Sequence, residues 1–137
     1  MTNTENDLFS SGFVLPEHRG GDGWTILHGD ALDIIPHFQP GAFDAVITDP
    51  PYNVNYEGSA GKIKNDNMAS EKFFDFLFDA FSNMEKVMAD DASIYVFHAD
   101  TEGLNFRKAF DAAGFYLSGC CIWKKQSLVL GRSPYQW

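Results

Sequence analysis

Apolar positions fall into short continuous runs and one long helical face, separated by polar stretches rich in Gly, Asn and Pro. Residues 1–23 hold no periodic pattern and end in Gly20-Gly21-Asp22-Gly23, read as a flexible linker. A glycine loop that cradles a cofactor follows a strand and opens a helix, whereas this one precedes a strand. The β-branched and aromatic run 24–28 predicts a first strand. Gly29-Asp30 then opens a brief helical turn, 31–35, stopped by Pro36. Residues 43–48 predict a second strand, apolar through its centre as a buried parallel strand should be.

The stretch 53–69 is a long loop of Gly, Asn and Lys. Ser70 is read as the N-cap of a helix to about residue 89, with Phe73, Leu77, Phe81, Met84 and Met88 along one face. Phe74, Phe76 and Phe78 widen that face, and packing is its expected role. A third strand is expected over 92–98. A helix capped by Asp100 or Thr101 follows, with Leu104, Ala109 and Phe110 inward and Gly114 as its stop. Residues 115–123 predict a fourth strand. Strand, helix, strand, helix, strand argues for an α/β fold, Rossmann-like and doubly wound on a largely parallel sheet. The division expected is an N-terminal extension, 1–23, and a folded part, 24–137.

Candidate chemistry concentrates at Asp49-Pro50-Pro51-Tyr52, immediately after the second strand. Four specified residues at roughly 5% usage each arise by chance in only about one chain of this length in a thousand. They stand where an α/β sheet places its ligand, past the carboxyl end of a strand. Asp49 offers a carboxylate acceptor. Pro50 offers a backbone carbonyl whose direction the two fixed φ angles constrain. Two acceptors converging on one exocyclic amine would free its delocalised lone pair for attack on a methyl donor. Tyr52 supplies a flat face for a base removed from its stack. The bland alternative is a rigid strand-to-loop exit, since Pro-Pro ends strands in any context.

With the run from Ile26-Leu27-His28-Gly29-Asp30-Ala31-Leu32 and the segment 43–55 added, the chain resembles the S-adenosylmethionine-dependent amino-methyltransferases of DNA. The likeness is to the permuted β group and extends from about Trp24 to the last residue. Trp123-Lys124-Lys125 and Gly131-Arg132-Ser133 are similar to phage and prophage modification methylases, which implies a restriction-modification setting. The resemblance assigns catalysis to Asp49, Pro50, Pro51 and Tyr52. It places Asp30, Ala31 and Asp49 at the S-adenosylmethionine co-substrate, with Asp30 holding the donor's adenine. An N-cap role for Asp30 is the competing reading. An Asp at the head of the motif implies adenine as target, with cytosine open. Duplex DNA with a flipped base is the implied partner, and Tyr52, Lys62 and Lys64 are the candidate nucleic-acid contacts.

The family's donor-binding Gly-rich turn has no counterpart in this sequence. In the permuted order it would follow a target-recognition region after residue 137. The expectation is therefore a catalytic-motif portion, a truncated form that binds S-adenosylmethionine weakly or not at all and transfers no methyl group when alone, with a complementary methyltransferase half as a candidate partner. RNA or protein amino-methyltransferases and a non-catalytic folded module are the alternatives.

Composition alters this picture in few places. A net charge of −9 opposes the basic face normal for DNA binding. Lys62 and Lys64 near the motif, with Lys124, Lys125 and Arg132, form either a local basic rim or solvated loop charges. Cys120 and Cys121 are read as buried packing residues, and no metal set is expected. His98 is read as a satisfied structural group. Without a membrane span or signal peptide, a cytoplasmic location is the default. Two spatial expectations follow. Asp30 and Asp49 should share one edge of a parallel sheet, and residues 56–68 should be mobile because little burial offsets their ordering entropy.

Overall fold

The computed structural model describes residues 8–59 and 61–124. Its centre is a β-α-β unit. Strand β3 (Phe43–Thr48) leads through the motif loop into helix α2 (Ser70–Val87), which runs directly into β6 (Met88–Val96). β3 and β6 pair in parallel, with Val46 opposite Ile94 and Thr48 opposite Val96. A register shift between Phe43 and Ala45 lets β6 begin at Met88, earlier than the apolar run at 92 implied. Helix α3 (Gly103–Ala112) follows a 3₁₀ turn, Asp100–Glu102, and packs on α2.

From Phe73 to Met84 the helical face reads as the spacing predicts, whereas Met88 belongs to β6 and Leu104, expected inward on α3, is exposed. Phe73, Leu77, Phe81 and Met84 of α2 bury against Phe106 and Ala109 of α3, and Val46, Ile94 and Val96 of the sheet pack onto this cluster. Phe106 meets Phe73 edge-on at 5.7 Å, and Phe110 meets Phe81 in the same way at 5.8 Å. Burying each such side chain contributes about 1.5–3 kcal/mol, which is why this face outweighs the weak intrinsic helix propensity of Phe. The N-cap is Ala69, not Ser70, whose hydroxyl instead accepts from Asn105 of α3 at 3.0 Å.

Other elements depart from the sequence expectation. Gly20 and Gly21 lie in β1 (His18–Gly21), which pairs antiparallel with β2 (Trp24–Leu27). Asp22-Gly23 forms the two-residue turn between them, with Gly23 at φ +77°. Asp-Gly is favoured in such hairpins because Gly accepts a positive φ without penalty. Among the described residues, β2 has no ladder to β3, so the parallel neighbour relation expected of the first two strands is absent. Residues 115–124 form no strand, and Cys120 and Cys121 are exposed. An apolar run becomes a strand only where a neighbouring strand accepts its hydrogen bonds, and none does so among the described residues.

The described residues are thus α/β, with helices covering one face of the parallel pair. On the other face Ile47 is 74% and Tyr95 59% exposed. The N-terminal segment also docks, through Phe9 against Phe38 at 4.3 Å and Phe13 against His37 at 4.1 Å. No helix among the described residues is long and apolar enough to cross a membrane.

Candidate active site

Strand β3 delivers Asp49 to the carboxyl end of the parallel pair, where Thr48 still accepts a backbone hydrogen bond from Phe97 at 2.9 Å. Pro50 and Pro51 then remove two backbone donors and stop the strand. The turn brings Tyr52 back over the motif, and its hydroxyl donates to Asp49 Oδ1 at 2.5 Å. The Tyr52 ring packs against the hydrophobic cluster while its hydroxyl reaches the exposed Asp49. Burial, then the hydrogen bond to Asp49 and its negative charge, push the Tyr52 phenol up to about 12. Tyr52 therefore keeps its proton and stays a donor throughout the neutral range.

This pair has a pH signature. Because the folded value lies above the ordinary phenol value of 10.0, its contribution to stability is complete below pH 10 and is lost as pH rises through about 12. Spectrophotometric titration should resolve a tyrosinate transition near 12 that Tyr52→Phe lacks. A titration of Tyr52 in the ordinary range would show that the contact is absent in solution.

The segment after the motif is held by a residue the sequence reading passed over. Asp66 is 3% exposed, the one buried polar or charged side chain among the described residues. Its Oδ1 accepts from the backbone amides of Tyr52 at 3.0 Å and Val54 at 3.3 Å, and its Oδ2 from that of Tyr56 at 2.6 Å. Asn53 fastens the far end: Met68 N–H donates to its Oδ1 at 2.6 Å, and its Nδ2 donates to the Met68 carbonyl at 3.1 Å. A short hairpin, β4 (Glu57–Gly58) with β5 (Gly61–Lys62), closes the middle. The stretch 56–68, expected to be mobile for want of apolar anchors, is tied to the motif by these polar contacts, and Met68 at its end packs on the hydrophobic cluster. A lone Asp within Asn65-Asp66-Asn67 looks like a solvated loop charge in sequence. The available signal was the alternating Asn in Tyr52-Asn53-Val54-Asn55-Tyr56.

Asp30 performs the N-cap role, accepting from Leu32 N–H at 3.1 Å through Oδ1, with Ala31 as the first residue of helix α1 (Ala31–Ile34). Its Oδ2 accepts from Lys64 Nζ at 3.0 Å. The Lys64 bond, followed by the Leu32 amide, holds the Asp30 carboxyl below its usual value. This exposed pair adds little to stability, but it joins the loop after the motif to the second candidate position. Asp30 and Asp49 are joined by no direct hydrogen bond. Lys62 lies 4.0 Å from Glu57 across the hairpin. Both candidate nucleic-acid lysines therefore already face carboxylates. Lys125 and Arg132 lie outside the described residues.

His98 stacks on Phe106 at 5.1 Å and makes a 3.1 Å Nδ1 contact with the Ala99 carbonyl, the structural role read from sequence. Among the described residues no group of three or more acidic, His or Cys side chains could hold a metal. The donor set suits part of S-adenosylmethionine. Each Asp30 oxygen keeps acceptor capacity for an adenine amine beside its present donor, while no Gly-rich turn between a strand and a helix occurs among the described residues.

The parallel strand β3 thus ends in an Asp-Pro-Pro-Tyr loop with the tyrosine folded onto the aspartate. The N6/N4 methyltransferase family model, described as DNA methylase, matches residues 43–135, and the chain belongs to that family. The DNA adenine methyltransferase YhdJ of Escherichia coli (strain K12) is 28% identical over 114 residues, 82% of this chain and 37% of the relative. A second protein of that strain, named "Putative methylase YubD", is 28% identical over 99 residues, 72% of this chain and 42% of its own length. The chain thus spans about two fifths of the length of these curated relatives. No solved structure matches it significantly.

Proposed function

We propose that this chain carries the catalytic-motif part of a DNA amino-methyltransferase that transfers a methyl group from S-adenosylmethionine to adenine. The observation that carries the reading is the Asp49–Tyr52 pair at the end of β3, inside the segment matched by the family. The adenine target is supported by the Asp at the head of the motif and by the name of the first relative.

In this reading a flipped base stacks on Tyr52, and its exocyclic amine donates to Asp49 and to the Pro50 carbonyl. Tyr52 occupies Oδ1 of Asp49, so the amine takes Oδ2 or displaces the hydroxyl. Both N–H bonds are then held, and the nitrogen lone pair points toward the donor. The new N–C bond forms as the methyl–sulfur bond breaks. Sulfur keeps the electron pair of the broken bond, and the amine's surplus proton leaves through its acceptors to water. Asp30, with Ala31 beside it, holds the donor's adenine. The Gly-rich turn for the methionine moiety comes from a complementary segment, in the same chain or in a partner. Lys62 and Lys64 reach DNA phosphates once they release Glu57 and Asp30.

The test joins this chain to the donor-binding portion of the adenine methyltransferase relative and supplies labelled S-adenosylmethionine and unmethylated DNA. N6-methyladenine in the digested product is expected, and N4-methylcytosine would replace adenine as the target. A joined protein that binds the donor yet transfers nothing would overturn the reading.

A further inference from the structure

Three backbone amides at alternate positions, those of Tyr52, Val54 and Tyr56, point at one buried carboxylate. The backbone between them explains why. Asn53 and Asn55 have φ of 59° and 52°, whereas Tyr52, Val54 and Tyr56 do not enter the positive region. Left-handed residues between these positions curl the chain so that every second amide turns to a common side, forming a concavity for an anion. Such concavities usually receive phosphate or a metal-cluster ligand. Here the anion is internal, the side chain of Asp66. Asn is the ordinary residue best suited to the left-handed positions, because its short polar side chain tolerates them. The Asp66 carbonyl also accepts from Asn55 N–H at 2.7 Å, so main chain and side chain grip the same loop.

We propose that Asp66 is the positioning residue of the motif loop: its carboxylate templates the backbone of residues 52–56 and thereby sets Tyr52 against Asp49. The inference rests on the methyl-transfer reading for its purpose, since Tyr52 is the stacking face in that reading. Asp66 itself touches no reacting atom. It acts through the Tyr52 amide, one residue beyond the rigid Pro50-Pro51 step, so a shift of the loop moves the ring and its hydroxyl together. Charge-assisted hydrogen bonds are roughly twice as strong as neutral ones, which suits a carboxylate to hold a loop with so little apolar anchoring.

The two oxygens carry unequal loads, and this makes the role testable on the full 137-residue chain. In Asp66→Asn the amide oxygen takes the place of Oδ1, where two donors converge. The new NH₂ then faces Tyr56 N–H, donor against donor. Amide hydrogen exchange by NMR should therefore stay slow at Tyr52 and Val54 and speed up by about tenfold or more at Tyr56. In Asp66→Ala all three should exchange faster. The ¹³Cζ resonance of Tyr52 should keep its wild-type position in Asp66→Asn and move in Asp66→Ala to the position seen in Asp49→Ala, where the hydroxyl has lost its acceptor.

Slow exchange at Leu77 and Phe81 reports that the core is intact. If Asp66→Ala does not fold, the split between Tyr56 and the other two amides in Asp66→Asn decides the matter. Equal protection of all three in Asp66→Asn, or an unmoved Tyr52 signal in a folded Asp66→Ala, overturns the proposal. None of these signals needs methyl transfer. A joined enzyme that fails to methylate while this pattern holds refutes the functional reading and leaves the positioning role standing.

Discussion

Asp49→Ala will lower methyl transfer in the joined enzyme by about a hundredfold to a thousandfold, the range for removing one preorganised group that stabilises developing charge. The carboxylate acts on the amine, so equilibrium binding of S-adenosylmethionine should change by no more than about twofold, well under the 1.4 kcal/mol that a tenfold change represents. Loss of the Tyr52 hydrogen bond will lower stability by only about 0.5–1.5 kcal/mol, because Asp49 is exposed and its removal strands no buried charge. The separation is the informative part. A variant that loses transfer and donor binding together would place Asp49 on the cofactor side alone. One that transfers within tenfold of wild type would remove it from catalysis.

Phe73→Ala is the substitution expected to damage the fold most. Phe73 is 0% exposed, stacks along α2 with Phe76 at 6.3 Å and meets Phe106 of α3 edge-on. Large-to-small changes of this kind cost about 3–5 kcal/mol through lost transfer energy and the cavity left behind. A domain is stable by only about 5–15 kcal/mol, so a large fraction of the margin goes. Phe74→Ala is the control, because Phe74 is only partly buried and lies beside the cluster, near Phe78 at 6.2 Å. Urea denaturation followed by circular dichroism should show a much larger fall in midpoint for Phe73→Ala. Equal effects at the two positions would mean that the α2–α3 contact is not the core of the protein.

Much of this site was legible from local pattern. The run of Phe43–Thr48 and the two prolines after Asp49 state by themselves that a strand ends there and what stands at its end. The spacing of Phe73, Leu77, Phe81 and Met84 states that a helix buries one face. These features depend on periodicity and on proline's fixed φ, which act over a few residues and need no partner from elsewhere. Asp-Gly at positions 22 and 23 was equally local, yet was read as a linker because the residues flanking the turn, His18–Gly21, carry no apolar alternation.

Tertiary structure alone decided which groups meet. Asp66 reaches amides up to fourteen residues away, and Lys64 reaches Asp30 across thirty-four. The sequence offers only an acidic and a basic residue in a polar loop, both of which would serve equally well as solvated charges. Their partners are chosen by how the loop folds back, through left-handed turns that Asn permits but does not require. The stretch 115–124 shows the converse. Its composition favours a strand, but β structure needs a second chain segment to accept its hydrogen bonds, and composition cannot supply a neighbour.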